Sequence, residues 1–548
     1  MINATFSTRR LFLFIIPLYT LVVSVIFINK FSPFYHSEPD PCYSYLFNGM
    51  NLAGGNMELG HVDHPGTTVQ CFAATVIFTK HFLMHSATPL SHDVITNAED
   101  YLLTCSIILI ILFISINYLT GVYVYRHTKS IGLSMLFQIT PLININIIQR
   151  AIVLDSESFI ILAANIFMAY LFVNAPENNA PAEKPLRNRK VIVFGIFSGL
   201  LIASKYTCVP VLFLVLFVLK NNKQRLIYFG ATVLSFFIFI IPALPKLGNM
   251  FRWISGIATH DGIYGKGEER IINPSQYLNN LQGIMLTDTI FTAFYGIITV
   301  AFIYALVKRV KKTGTVPFFC TITGVWVSIT LLILAVAKHT EFHYLIFAEC
   351  CFPLGLAVSY KILSASLVSF STNYNRHRKV IIYSFFSALC IFLVIEKIRY
   401  MPFHPLKKVG ISKYLDKYKD IPIVISIKDG LACERKEPAL YLGYLYSGNL
   451  QSQYSVSLNN IYPNTYIYWN NSQSLTHWSE GVSIAELLNK NKSVIVYTKG
   501  YNDSTWANII HRFENGKQGQ YSEQEIFKDA ETLQSVCLIT NTKVFQGL

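Results

Sequence analysis

The sequence is poor in charge and poor in recognisable punctuation. Asp, Glu, Lys and Arg make up 14% of the 548 residues, where soluble domains carry about 25%. Ten cysteines include no CxxC pair and no zinc spacing. Most of them (Cys105, Cys208, Cys320, Cys350, Cys351 and Cys390) fall inside apolar runs and read as packing residues. There is no internal repeat and no low-complexity tract. These absences exclude a zinc-finger module, a disulfide scaffold and a solenoid. The formal charge of +14 does not point to nucleic acid, because the basic residues cluster between apolar segments, where they set topology.

What is present is apolar. Hydrophobic residues are 52%, aromatics 14%, and mean hydropathy is +0.40. A low charged fraction with many long apolar runs defines a polytopic membrane protein. Residues 11–29 are followed by no small-residue cleavage site and read as an anchor. Eleven spans are expected at 11–29, 102–125, 131–149, 151–173, 191–204, 206–219, 226–245, 286–307, 316–337, 344–363 and 380–397. The pair around Lys205 also reads as one kinked helix, broken at Pro210.

Alternate loops carry the denser basic clusters, such as Lys184 to Lys190, Lys308 to Lys312 and Arg376 to Lys379. The positive-inside bias makes those loops cytoplasmic. Arg9 and Arg10 place the N-terminus with them. Residues 67–85 then read as an amphipathic helix on the outer interface, with Val69, Phe72, Ala73, Val76 and Ile77 on one stripe and Gln70 and Lys80 off it. Localisation is thus integral and multi-pass, in a plasma or inner membrane, or the endoplasmic reticulum of a eukaryote.

This topology collects the ionisable residues on the outer face. The stretch from Lys30 to Gly66 supplies Glu38 and Asp40 in SEPDP, then Tyr43, then His61, Asp63 and His64 in GHVDHPG. Later loops add Arg150, Asp155 and Glu157, then Lys205, His260 and Asp261, then Lys338, His339, Glu341, His343 and Tyr344. Ionisable groups at membrane depth are costly and mark function. Asp40 before Pro41 also has the bland reading of a helix N-cap. The two histidines and Asp63 are of types that suit zinc or manganese, but their spacing matches no strong metal signature.

Residues 399–548 change character. Strand-like runs stand at 421–427, 440–446, 466–469 and 493–497, with helix-like stretches at 484–490 and 505–514. This reads as a small extracytoplasmic α/β domain, separable from the transmembrane domain of residues 1–398 with its catalytic loop 30–100. Cys433 and Cys537 are positioned in sequence to pair in an oxidising compartment.

Over roughly residues 10–400 the chain resembles the GT-C superfamily of integral membrane glycosyltransferases, of the protein O-mannosyltransferase and aminoarabinose transferase type. The resemblance rests on Glu38-Pro-Asp40-Pro-Cys-Tyr43, His64-Pro65-Gly66, RAIVLDSESF from Arg150, the lysine tip at Lys205-Tyr206, and Lys338-His339 to Tyr344. Pro39 separates acids that many relatives hold adjacent. The resemblance implies a GT-C-like helical fold and transfer of a sugar from a polyprenyl-phosphate donor to a glycan, lipid or protein acceptor, as in building cell-envelope polysaccharide. In that scheme Asp40 or Glu38 is the base, and Lys205, Arg150, Lys338 and His339 face the phosphate; a divalent cation is left open as cofactor. The competing class is a transporter or flippase of a lipid-linked saccharide.

Overall fold

The computed structural model describes residues 11–63, 65–85, 87–175, 186–312, 316–367, 410–427, 431–469, 474–500 and 521–541. The protein is mostly helical, with a seven-stranded sheet in its C-terminal part. The span expected at 380–397, the helix at 505–514 and His64 lie outside the described residues. The chain divides into two compact units. One holds Met1–Ile28, Val62–Cys71 and Cys105–Met401; the other holds Asn29–His61, Phe72–Thr104 and Pro402–Leu548.

In the first unit, apolar composition makes long helices, and Pro, Asn and charge interrupt them. Five helices among the described residues are long and apolar enough to cross a membrane: Ala98–Thr128, Ser156–Asn174, Thr289–Val310, Phe319–Val336 and Phe342–Ser364. A sixth counts if Asn222–Phe239 and Ile241–Thr259, bent by 82°, form one span. Ile15–Phe31 and Tyr206–Val218 are apolar but shorter, and eleven spans are not shown; local breaks account for part of the difference. Residues 131–149 break into Ile131–Gln138, Thr140–Ile143 and Ile145–Ile152. Pro141 opens the middle piece, and extended Asn144 caps the third through a 3.0 Å bond from Asn146 N–H. Pro242 and Pro245 sit at the 82° bend. Helix Asn188–Ser204 stops where Lys205 turns extended (φ −160°, ψ 134°).

Small residues let neighbouring helices close up. A side chain at Gly195 would meet Ala231 Cβ at 2.6 Å. Gly195 and Gly199 lie one turn apart on the face toward Asn222–Phe239, the close-packing device of membrane helices. Asp288 caps Thr289–Val310 by accepting from Ile290 and Phe291 N–H, at 3.0 and 2.9 Å.

The second unit joins a C-terminal sheet to the segment after the first apolar helix. Its strands are β1 (Ile423–Ile427), β2 (Thr465–Trp469), β3 (Ser474–His477), β4 (Glu480–Val482), β5 (Ser493–Lys499), β6 (Tyr521–Asp529) and β7 (Gln534–Asn541), ordered β4-β3-β2-β1-β5-β7-β6. The β1 strand pairs in parallel with β2 and β5; the other pairings are antiparallel. Alternation along the strands makes two cores. Val424, Val494, Val496 and Cys537 line one; Ile425, Cys433, Ile495 and Tyr497 line the other. Cys433 and Cys537 belong to different cores and no disulfide joins them, so the expected pair does not form.

The run at 440–446 is helix Glu437–Leu445, not a strand. Pro438 and Glu437 in its first turn favour helix. Its Gly443 faces the ring of Phe47, from helix Pro39–Ala53, so closely that no Cβ fits. Helix Glu437–Leu445 therefore packs against helix Pro39–Ala53 within the second unit. The boundary drawn near residue 399 cuts the chain differently from its compact units.

Candidate functional site

Four separate stretches of the first unit bring ionisable side chains together. Arg150 stands in the last turn of Ile145–Ile152. Asp155, extended, precedes helix Ser156–Asn174, whose first turn holds Glu157. Lys205 occupies the break after Ser204, and His343 and Tyr344 lie in the short turn Phe342–Leu345. Arg150 Nη1 meets Asp155 Oδ2 at 3.0 Å. Lys205 Nζ is ion-paired with Glu157 Oε1. His343 Nε2 stands 3.9 Å from the same oxygen. Ser156 Oγ donates to Glu157 Oε2 at 2.7 Å. Lys205 also lies over the Tyr344 ring, 4.6 Å from its centroid, and that ring packs edge-on to His343. Lys205, Asp155 and Glu157 are each under 5% exposed. Charges removed from water this far persist only when paired and hydrogen-bonded, and this cluster supplies both.

A second group lies between Val336 and Phe342. Lys338 Nζ donates to the carbonyls of Ile257 (2.5 Å) and Ala258 (3.0 Å), the free C-terminal end of helix Leu247–Thr259. Burial, and then the charge of Lys338, hold His339 below the ordinary histidine value. His260 Nδ1 contacts Thr259 Oγ1 at 3.0 Å, and Asp261 is paired with Arg270.

Sequence reasoning missed a third group. The amide of Asn144 donates to Asp288 Oδ2 at 3.0 Å and to Glu349 Oε1 at 2.9 Å. Glu349 is 2% exposed inside an apolar helix. A lone acid in LIFAECCF was its visible signal; Asn144, being uncharged, gave none.

The remaining expected residues are placed as follows. Asp63 belongs to the first unit and bears electrostatically on Tyr206. Glu38, Asp40, Tyr43 and His61 belong to the second. Asp40 is exposed and extended (φ −107°, ψ 125°), directly before the regular turns of its helix, and accepts a long bond of 3.4 Å from Ser44 Oγ. Glu38 does not cap that helix through its side chain. Tyr43 is fully buried and donates to Glu99 at 2.7 Å, while Glu99 also accepts from the N–H groups of Phe34 and Tyr35. His61 is packed between the rings of Tyr45 and Tyr446. Tyr43 and His61 thus help hold the interior of their unit. Among the described residues no three His, Cys, Asp or Glu side chains are arranged to hold a metal ion.

Comparison with family models, with curated proteins and with solved structures gave no match. What the protein does therefore rests on its own residues. Its helices define a membrane protein in which buried ionic groups collect at helix breaks.

Proposed function

We propose that the protein is a membrane glycosyltransferase that moves a sugar from a polyprenyl-phosphate donor to an acceptor hydroxyl on the outer face of the membrane. The observation that carries this reading is the burial of Lys205 against Glu157, with Arg150, His343 and Tyr344 gathered around them. The leaving group of such a reaction is a lipid phosphate anion, which needs fixed cationic donors. Lys has three N–H donors and Arg has five. Their carboxylate partners hold the charged heads in place and leave donors for an anion. The acceptor hydroxyl also needs a base, and Asp40, exposed at a helix start of the second unit, is the carboxylate that the resemblance assigns to that task.

A flippase or transporter of the same lipid is the second reading. It is favoured by the broken segments at 131–152 and 204–211, since interrupted helices are where transporters bind cargo.

The test uses purified full-length protein with radiolabelled decaprenyl-phosphate glucose and decaprenyl-phosphate mannose. Cleavage of the sugar–phosphate bond, abolished by Lys205→Ala, supports the transferase. Movement of intact lipid across proteoliposomes without cleavage supports the transporter and overturns the first reading.

A further inference from the structure

Residues His260 to Arg270 read HDGIYGKGEER, between helices Leu247–Thr259 and Pro274–Thr287. Three glycines here offer positive φ without steric cost, and Gly265 and Gly267 use it. Tyr264 also stands in the left-handed region, at φ 58° and ψ 33°. A bulky side chain there is an outlier held by its surroundings, and such outliers cluster at functional sites. The surroundings are a clamp. Gly262 N–H donates to Lys266 O at 2.7 Å, Asp261 N–H to Glu268 O at 3.1 Å, and the Asp261 carboxylate is paired with Arg270.

The clamp presents an aromatic pair. The Tyr264 ring stacks on Trp253, with centroids 5.8 Å apart and planes at 26°, yet Tyr264 stays 54% exposed. Trp253 belongs to the helix whose last carbonyls hold Lys338. Tyr264 bears electrostatically on Tyr344, the ring beneath Lys205. An aromatic stack with the Tyr264 ring exposed and Trp253 half-buried behind it, on the helix whose last carbonyls hold Lys338, is apolar on its open face and polar at its edge. A hexose ring has the complementary form, with a face of C–H groups and an edge of hydroxyls.

We propose that Trp253 and Tyr264 form a stacking platform for the sugar ring of a phosphate-linked saccharide. This rests on the function proposed above and adds to it the place where the sugar lies. His260, directly after the helix that carries Trp253, and Lys338, held by that helix's last carbonyls, are the platform's candidates to meet hydroxyl groups.

Tyr264→Gly tests it, because it removes the ring and relieves the backbone; Tyr264→Phe keeps the ring. Binding of decaprenyl-phosphate glucose, decaprenyl-phosphate mannose and bare decaprenyl phosphate is measured on purified full-length protein, with Tm alongside. Tyr264→Gly is expected to weaken at least one glycosylated lipid by about tenfold or more, as loss of an aromatic stack worth ~1.4 kcal/mol implies. It should leave bare decaprenyl phosphate within about twofold and Tm unlowered, and Tyr264→Phe should stay near wild type. Equal weakening of the bare lipid makes the pair a bilayer contact and overturns the platform. So does a lowered Tm, which makes the ring a structural prop, or unchanged binding of all three lipids. If the wild type binds none of the three, the functional reading fails and the platform with it.

Discussion

The side-chain amide of Asn48 donates to the backbone carbonyl of Tyr446, 398 residues away, at 2.9 Å. The same amide accepts from the N–H groups of Gly60 (2.8 Å) and His61 (3.3 Å). One turn on, Asn51 donates to Ser447 O at 2.8 Å and accepts from Tyr454. Two asparagines on one helix thus tie the segment after the first apolar helix to the C-terminal part of the chain. Both belong to the second compact unit.

Asn48→Ala leaves buried backbone groups unpaired, at roughly 1–3 kcal/mol for each such group. Its Tm should fall, and limited proteolysis should open residues 54–61 first. A chain truncated after Tyr400 should lose protection over residues 30–61 even when it inserts. Retained protection in the truncated chain would show that the loop folds without its C-terminal partner.

Lys205 and Glu157 should behave as one group. Breaking a buried pair by removing one partner costs about 3–5 kcal/mol, while replacing both with apolar or neutral groups costs far less. Lys205→Met is therefore expected to be less stable than the double variant Glu157→Gln/Lys205→Met. A thermal double-mutant cycle reads the coupling, and additive losses would mean the pair is not formed.

A pH dependence follows from the second unit. Burial alone would push Asp93 up, but hydrogen bonds from His81 (2.8 Å), Tyr101 (2.7 Å) and Asn97 (2.8 Å) outweigh it and hold its carboxyl below the ordinary carboxylate range. A carboxyl depressed on folding stabilises the protein fully above its unfolded pKa of about 3.9, and that stability is lost as pH falls through the folded value. The Tm gap between wild type and Asp93→Asn should be present at about pH 5 and close as pH falls below about pH 4. A gap that stays flat to the lowest pH would remove Asp93 from the account.

Sidedness is tested by cysteine labelling in a Cys71→Ser background, since Cys71 is exposed. The basic clusters predict that Ser91→Cys and Glu480→Cys react from outside intact cells and Lys223→Cys does not. The reverse pattern would invert the topology.

The ionic cluster was legible because Arg150, Asp155, Glu157 and Lys205 are charged residues among apolar ones, and such residues stand out in any membrane sequence. Element type was legible wherever period and length agreed, as at β1, β2 and β5. It failed at 440–446, where aromatic and leucine content suggested a strand but a proline start and packing on Phe47 made a helix. Gln70, expected off the apolar stripe, is fully buried. Fewer described helices reach spanning length than expected in part because hydropathy does not register how Pro141, Asn144 and the prolines at 242 and 245 divide an apolar run. Asn48 gave no signal at all, since nothing local distinguishes an asparagine that binds a carbonyl at the other end of the chain.

Asp40 carries the most direct test of the chemistry. Its backbone is extended and the regular helix begins immediately after it, so its carboxylate stands at the positive end of the helix dipole. Its exposure leaves it open to an acceptor hydroxyl, whereas Tyr43, three residues on, is enclosed with Glu99. Asp40→Asn keeps shape and most of any capping role while removing the base, and loss of a general base costs about 10²–10⁴ in rate. The variant should insert, keep its Tm and bind decaprenyl-phosphate sugars as the wild type does, yet transfer sugar at least about a hundredfold more slowly. Glu38→Gln should be milder, because Glu38 lies before the turn that orients Asp40. Sugar transfer by the purified variants decides the matter: near-normal turnover by Asp40→Asn would make Asp40 a helix-start residue and nothing more.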